Sequence, residues 1–165
     1  LVEALADAAR ARAVAEELGL PAWQAVHRSD RFGLGLAQVW TLAANTVLFW
    51  RHERIELPVA DGADDVALAL AADAWSRTYR SEAVAVNSQA PAQAVRLRSG
   101  LTLRVVPPQA AAVPVAVPGG APACALRASL QAIGQRYGDG TRQWVATQLE
   151  YDETQDGCPA LAAAP

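Results

Sequence analysis

The chain has 165 residues, 52% of them apolar and 19% charged, with a formal net charge of −3. That length supports one domain whose core can fold without metal or disulfide staples, and the balance excludes a disordered tail or a coiled coil. No run reaches the roughly 18–20 uncharged apolar residues of a membrane span, and the slight acidity gives no global attraction to nucleic acid or anionic lipid.

Val2 to Leu18 reads as a helix. Leu5, Ala9, Val14 and Leu18 fall near one face, and Gly19 supplies the stop. Pro21 opens a shorter segment with Trp23 and Val26, and residues 29–35 have turn chemistry with two permissive glycines. From Leu36 to Leu57 two apolar runs stand out, Val39–Leu42 and Thr46–Trp50. They read either as two strands turned at 43–45 or as one buried helix, because periodicity does not arbitrate for short runs. Aromatic and β-branched enrichment tips the second run toward a strand.

Asp61 to Asp65 is a helix start, with carboxylates where the helix dipole favours them. The helix to about Tyr79 carries Val66, Leu70 and Trp75 toward a core and places Arg77 and Arg80 in its last turn. Glu82 to Val86 reads as a strand. Ala94 to Val106 reads as a hairpin with a three-residue loop, Arg98-Ser99-Gly100, which sets Leu97 opposite Leu101 and Val95 opposite Leu103. That register gathers the apolar side chains on one face and leaves Arg96, Thr102 and Arg104 on the other. Pro114 and Pro118 limit 109–117 to an edge strand or an extended connector. Pro122 begins a helix with Leu126, Leu130 and Ile133 on one face, and Thr141 to Glu150 forms a last helix with Trp144, Val145 and Leu149. The expected fold is one α+β (or α/β) domain over residues 1–151, with about four helices on a small mixed sheet containing the 94–106 hairpin. Residues 152–165 form a polar, then Ala/Pro-rich tail.

Strand, helix, strand, the Arg98-Ser99-Gly100-Leu101 hairpin and then Val115-Ala116-Val117-Pro118-Gly119-Gly120 occur in an order that resembles the first half of a DJ-1/PfpI-type flavodoxin-like domain. The resemblance covers Val47 to Gly120 and implies that fold for this stretch. The strand–Cys–helix elbow of that family is not recognisable, and no active-site residue is carried over.

Candidate chemistry is sparse. Cys124 lies near a helix start, where the dipole lowers a thiol pKa, so it is the one weak catalytic candidate, with His27 or His52 as base. A buried small hydrophobe is the plainer role for it. Cys124 and Cys158 match no zinc or thioredoxin spacing, and they form either a structural disulfide or two separate buried thiols. No metal site is expected, because no two of these histidines and cysteines make a local chelate, and the acidic tail (Glu150, Asp152, Glu153, Asp156) lacks the order of a calcium loop. No phosphate-binding or nucleophile-elbow motif occurs, and no cofactor is expected.

Trp50, Arg51, His52 and Arg54 are weak binding candidates, since Arg forks suit planar anions; alternatively the run is a strand leaving the core with its charges in solvent. The stripe Arg96, Arg98, Arg104 has no aromatic between its members, which argues against nucleic acid.

All 14 basic residues are Arg, and Met is absent, a bias of GC-rich genes that suggests a bacterial source. The first residue is Leu1, which suggests a processed or excised piece of a larger protein. The leading expectation is a non-catalytic binding or interaction domain whose partner is a protein. A small cysteine enzyme using Cys124 and a structural subunit of an envelope or multiprotein assembly are the alternatives. The envelope is slightly favoured as its location.

Overall fold

The computed structural model describes residues 1–22, 24, 32–47, 51–87, 94–152 and 157–158. Trp23 and Val26, His27, residues 29–31 of the turn, residues 48–50 of the second apolar run, and Glu153, Asp156 and residues 159–165 of the tail lie outside them.

Two short helices open the chain, α1 (Val2–Leu5) and α2 (Ala8–Leu18), where a single helix was expected. Asp7 is the reason. Its extended backbone lets the carboxylate accept from the Arg10 N–H at 2.7 Å, so it caps a new helix and ends the old one. Gly19 closes α2 at φ +84°, and a Cβ there would come within 2.7 Å of the Ala121 Cβ. The Val39–Leu42 run lies in a third helix, α3 (Leu36–Val47), rather than in a strand.

The chain then enters the core instead of leaving it. Strand β1 (Glu53–Pro58) buries Ile55 and Leu57 completely. Asp64 caps α4 (Asp65–Ser76) by accepting from the Ala67 N–H at 2.8 Å. The helix stops sooner than its apolar pattern suggests. Thr78 is buried, its hydroxyl donates to the Trp75 carbonyl at 2.8 Å, and it accepts from the Arg80 N–H, which turns the chain into β2 (Ser81–Val86). Arg77 is therefore the residue that follows the helix as its C-cap, and Arg80 lies beyond it, so neither stands in the last turn. Strands β1 and β2 run parallel in the register Ile55 to Ala83 and Leu57 to Ala85, which makes β1–α4–β2 a βαβ unit.

The hairpin β3 (Ala94–Arg96) and β4 (Thr102–Arg104) pairs Val95 with Leu103, as the three-residue loop requires, and the Leu97 N–H donates to Leu101 at 2.8 Å. Gly100 stands at φ +91°, the left-handed position of that loop. Val95 and Leu97 are buried, while Arg96, Thr102 and Arg104 face solvent. The hairpin is stitched to the loop after β1: the Gly62 N–H donates to Arg96, the Arg98 N–H to Ala63, and the Arg96 N–H to the Asp61 carboxylate.

Strand β5 (Val113–Pro114) returns to the free side of β1, also parallel, giving the sheet order β2-β1-β5. Pro114, which has no N–H, sits on an edge strand where that loss is tolerated. Helix α5 (Pro122–Tyr137) starts on Pro122, packs on α4 and sends Leu126, Leu130 and Ile133 into the core, and α6 (Asp139–Gln148) adds Trp144 and Val145. The domain is thus α+β, with six helices among the described residues around a three-stranded parallel sheet and an antiparallel pair. The split at Asp7 and the helical state of 36–47 raise the count above the four expected. The core gathers Ile55, Leu57, Leu68, Trp75, Leu130, Ile133 and Val145 with the inward face of the hairpin. Trp75 meets the Tyr137 ring edge-on at 5.9 Å.

Candidate interaction surface

In a parallel sheet ligands bind outside the carboxyl ends of the strands, where the strand order reverses. Here that point lies between β1 and β5, and a crevice of about 360 Å³ opens nearby, lined by Glu17, Asp64, Arg98, Gly120, Ala121 and Pro122. Two of its charges, Asp64 and Arg98, are already engaged. Asp64 caps α4 through one carboxylate oxygen, and the other lies 3.2 Å from the Arg98 guanidinium. No cluster of three or more metal-ligating side chains occurs among the described residues.

Cys124 stands in the first turn of α5, as expected, and the structure joins it to Cys158 with the Cα atoms 5.4 Å apart. The linkage does not act alone. Arg127 donates to the Cys158 carbonyl at 2.9 Å, and the Gly157 N–H donates to the Gly19 carbonyl at 3.0 Å. The far end of the chain is therefore tied to the start of α5 and to the turn that closes α2.

Among the four predicted binding residues, Trp50 lies outside the described residues. Arg51 and His52 are exposed, and His52 Nε2 lies 3.4 Å from the Asn45 carbonyl. Arg54 is half-buried beside Glu56, 3.3 Å away. Arg54 is thus drawn to the sheet, whereas Arg51 and His52 follow the end of α3.

Two carboxylates of β1, Glu53 in the charged run and Glu56 beyond it, take roles that sequence reasoning did not give them. Glu56 is buried at the centre of the strand and accepts the Gln109 N–H at 2.8 Å, which fastens the connector after the hairpin. Glu53 accepts both prongs of Arg136, at 2.6 and 2.8 Å, and the Tyr137 hydroxyl at 2.7 Å. The Arg136 hydrogen bond holds the Glu53 carboxyl below its ordinary range, against an opposing push from burial. Burial first, and the bond to Glu53 second, raise the Tyr137 phenol to about 12. The Arg80 guanidinium stacks 4.6 Å above the same ring. The Glu53–Arg136 ion pair of this cluster ties β1 to α5.

The unusual surface is α3. Its twelve residues, Leu36-Ala-Gln-Val-Trp-Thr-Leu-Ala-Ala-Asn-Thr-Val47, contain no charge, and the only buried one is the polar Asn45, at 6% exposure. Asn45 donates to the Thr78 carbonyl at 2.9 Å and to the Thr141 hydroxyl at 3.2 Å. The opposite face presents Leu36 at 90% exposure, Trp40 at 76%, Val47 at 65% and Val39 at 50%, with the exposed Ala43 between them. A surface helix ordinarily turns its apolar stripe inward. This one is mounted the other way round. The signal was present in the sequence as the spacing 36, 40, 43, 47, but nothing in the pattern says which way that stripe faces.

No helix among the described residues is long and apolar enough to cross a membrane. No family model matches the chain, and no curated protein matches it. Among solved structures it is similar to oxidized DJ-1 of Toxoplasma gondii, at 13% identity and a TM-score of 0.47, over 60% of this chain and 98% of that one. No residue role is taken from that likeness.

Proposed function

We propose that this domain is a non-catalytic interaction module that binds protein through the outward face of α3. The observation that carries the reading is the mounting of that helix, which holds on to the domain by a buried asparagine and gives its leucine, valines and tryptophan to solvent. Contiguous exposed apolar surface of this kind marks sites of association. Arg51 and His52, just past the end of α3, would supply a polar rim. Cys124 supports a structural role over catalysis, because its sulfur is engaged with Cys158. The disulfide supports an oxidising compartment such as a bacterial envelope, and the Lys-free composition supports a GC-rich bacterial source.

The test is Trp40→Glu, studied at concentrations low enough to keep the chain monomeric. A face reserved for a partner contributes nothing to the isolated fold, so the unfolding free energy should change by no more than about 0.5 kcal/mol. Dye binding to exposed apolar surface should fall at the same time. A loss of about 2 kcal/mol or more would mean that the domain itself covers Trp40 and would end the proposal.

A further inference from the structure

We infer that the partner of the α3 face is a second copy of this chain, packed α3 against α3 about a two-fold axis; this rests on the reading of α3 as an interaction surface. Residues 36, 40, 43 and 47 follow the 4-3-4 spacing of a coiled-coil seam, and they lie opposite Asn45 on the helix. An antiparallel pair whose axis passes between residues 41 and 42 sets Trp40 over Ala43 of the partner subunit and Leu36 against the partner's Val47. Each large side chain meets a small or medium one, which a two-fold interface requires of a single surface patch.

Two further observations fit a second copy. The helix carries no charge, so bringing it against itself juxtaposes no like charges. The four exposed side chains offer roughly 500 Å² of apolar surface, a substantial part of the about 800 Å² per partner of a stable interface, with Leu34 to widen it. Leu34 is itself exposed.

The experiment is sedimentation velocity on the oxidised full chain, from about 1 to 100 μM, a range that spans ordinary dimer affinities. The expected result is a concentration-dependent rise from 17.4 kDa to twice that mass. Trp40→Ala opens a gap opposite Ala43 and should weaken the dimer at least tenfold. Ala43→Trp fills the place that Trp40 needs and should weaken it similarly, whereas a merely sticky surface would associate more strongly with the added ring. The double variant Trp40→Ala/Ala43→Trp exchanges the two roles across the axis and should recover association. Circular dichroism checks that each variant is folded. A monomer at 100 μM overturns the inference, as does a dimer that neither single variant weakens. If the chain is monomeric while Trp40→Glu leaves its stability unchanged, self-association falls and the interaction reading stands. If Trp40→Glu also destabilises the monomer, both fall.

Discussion

Removing the Cys124–Cys158 linkage should cost this domain a large part of its stability. The linkage closes a loop across a sequence separation of 34. Constraining the unfolded chain over a loop of that size is worth about 3.7 kcal/mol in the chain-entropy model. Real linkages often deliver less than that limit, so the expected loss is about 2–4 kcal/mol, against a total of about 5–15 for a domain of this kind. Local contacts add to it. Without the bond, Arg127 has no fixed Cys158 carbonyl to donate to, and the Gly157–Gly19 hydrogen bond loses its covalent anchor.

The variant for this test is Cys124→Ser/Cys158→Ser, which leaves no reactive thiol. Urea unfolding should place the midpoint of the variant about 1–2 M below that of the oxidised parent, with a steeper slope because its unfolded chain is no longer cross-linked. The parent measured in reductant should coincide with the variant. A difference below about 1 kcal/mol would refute the reasoning, because it would mean that residues 157–158 are not held against α5 in solution. Native alkylation gives an independent reading: neither cysteine should label before reduction, and rapid labelling of Cys124 would restore the cysteine-enzyme alternative.

Three further outcomes follow from particular contacts. Tyr137 is raised to about 12, above its ordinary 10, so the native state holds that proton more tightly than the unfolded chain. Its contribution to stability is complete below about pH 10 and is lost as pH climbs toward 12, and an ultraviolet titration should show one late-ionising phenol that Tyr137→Phe removes. Glu56→Ala removes the charged acceptor of the Gln109 N–H and should cost about 1.5–3 kcal/mol by denaturant unfolding, whereas Glu56→Gln keeps an acceptor and should cost less. Gly19→Ala should cost more than Gly100→Ala. Both glycines have positive φ, worth about 1–2 kcal/mol each, but only at residue 19 does the new Cβ strike a neighbour, Ala121 at 2.7 Å. Equal losses would show that the α2–α5 approach is looser than that.

Local chemistry was legible wherever a feature depends on residues close in sequence. The hairpin register follows from its loop and from the alternation of Val95, Leu97, Leu101 and Leu103. The start of α4 follows from Asp64, and the inward stripe of α5 from Leu126, Leu130 and Ile133. Asp7 carried the same capping signal as Asp64, yet the apolar pattern running through residues 5, 9, 14 and 18 suggested a continuous helix. What could not be read depends on distant partners. Glu53 meets Arg136 across 83 positions, and no pattern near either residue announces the other. The sulfur pairing was one of two readings for the same reason. For α3 the sequence offered an apolar stripe but not its direction, because the groups that decide it lie on the α4–β2 turn and on α6.

Asn45 is therefore the residue on which the orientation of α3 turns. Its amide satisfies the Thr78 carbonyl, on a residue that is itself fully buried, and the Thr141 hydroxyl, also buried. Rolling α3 to bring Leu36, Trp40 and Val47 inward would set hydrocarbon against both groups, taking this donor from the Thr78 carbonyl and leaving the Thr141 hydroxyl only its 3.4 Å bond to the Tyr137 carbonyl. An unsatisfied buried group costs about 1–3 kcal/mol, so the Thr78 carbonyl alone opposes the roll. Asn45→Ala removes that opposition without adding bulk. The variant should lose about 1–3 kcal/mol in denaturant unfolding. Its Trp40 should become harder to quench with acrylamide, read as the difference from the same variant carrying Trp40→Phe, as the helix turns its apolar stripe toward the domain. It should also associate less than the parent, although no residue of the outward face has changed. A variant of unaltered stability, with Trp40 as accessible as before, would show that Asn45 does not set the direction of the helix and that its outward face has another cause.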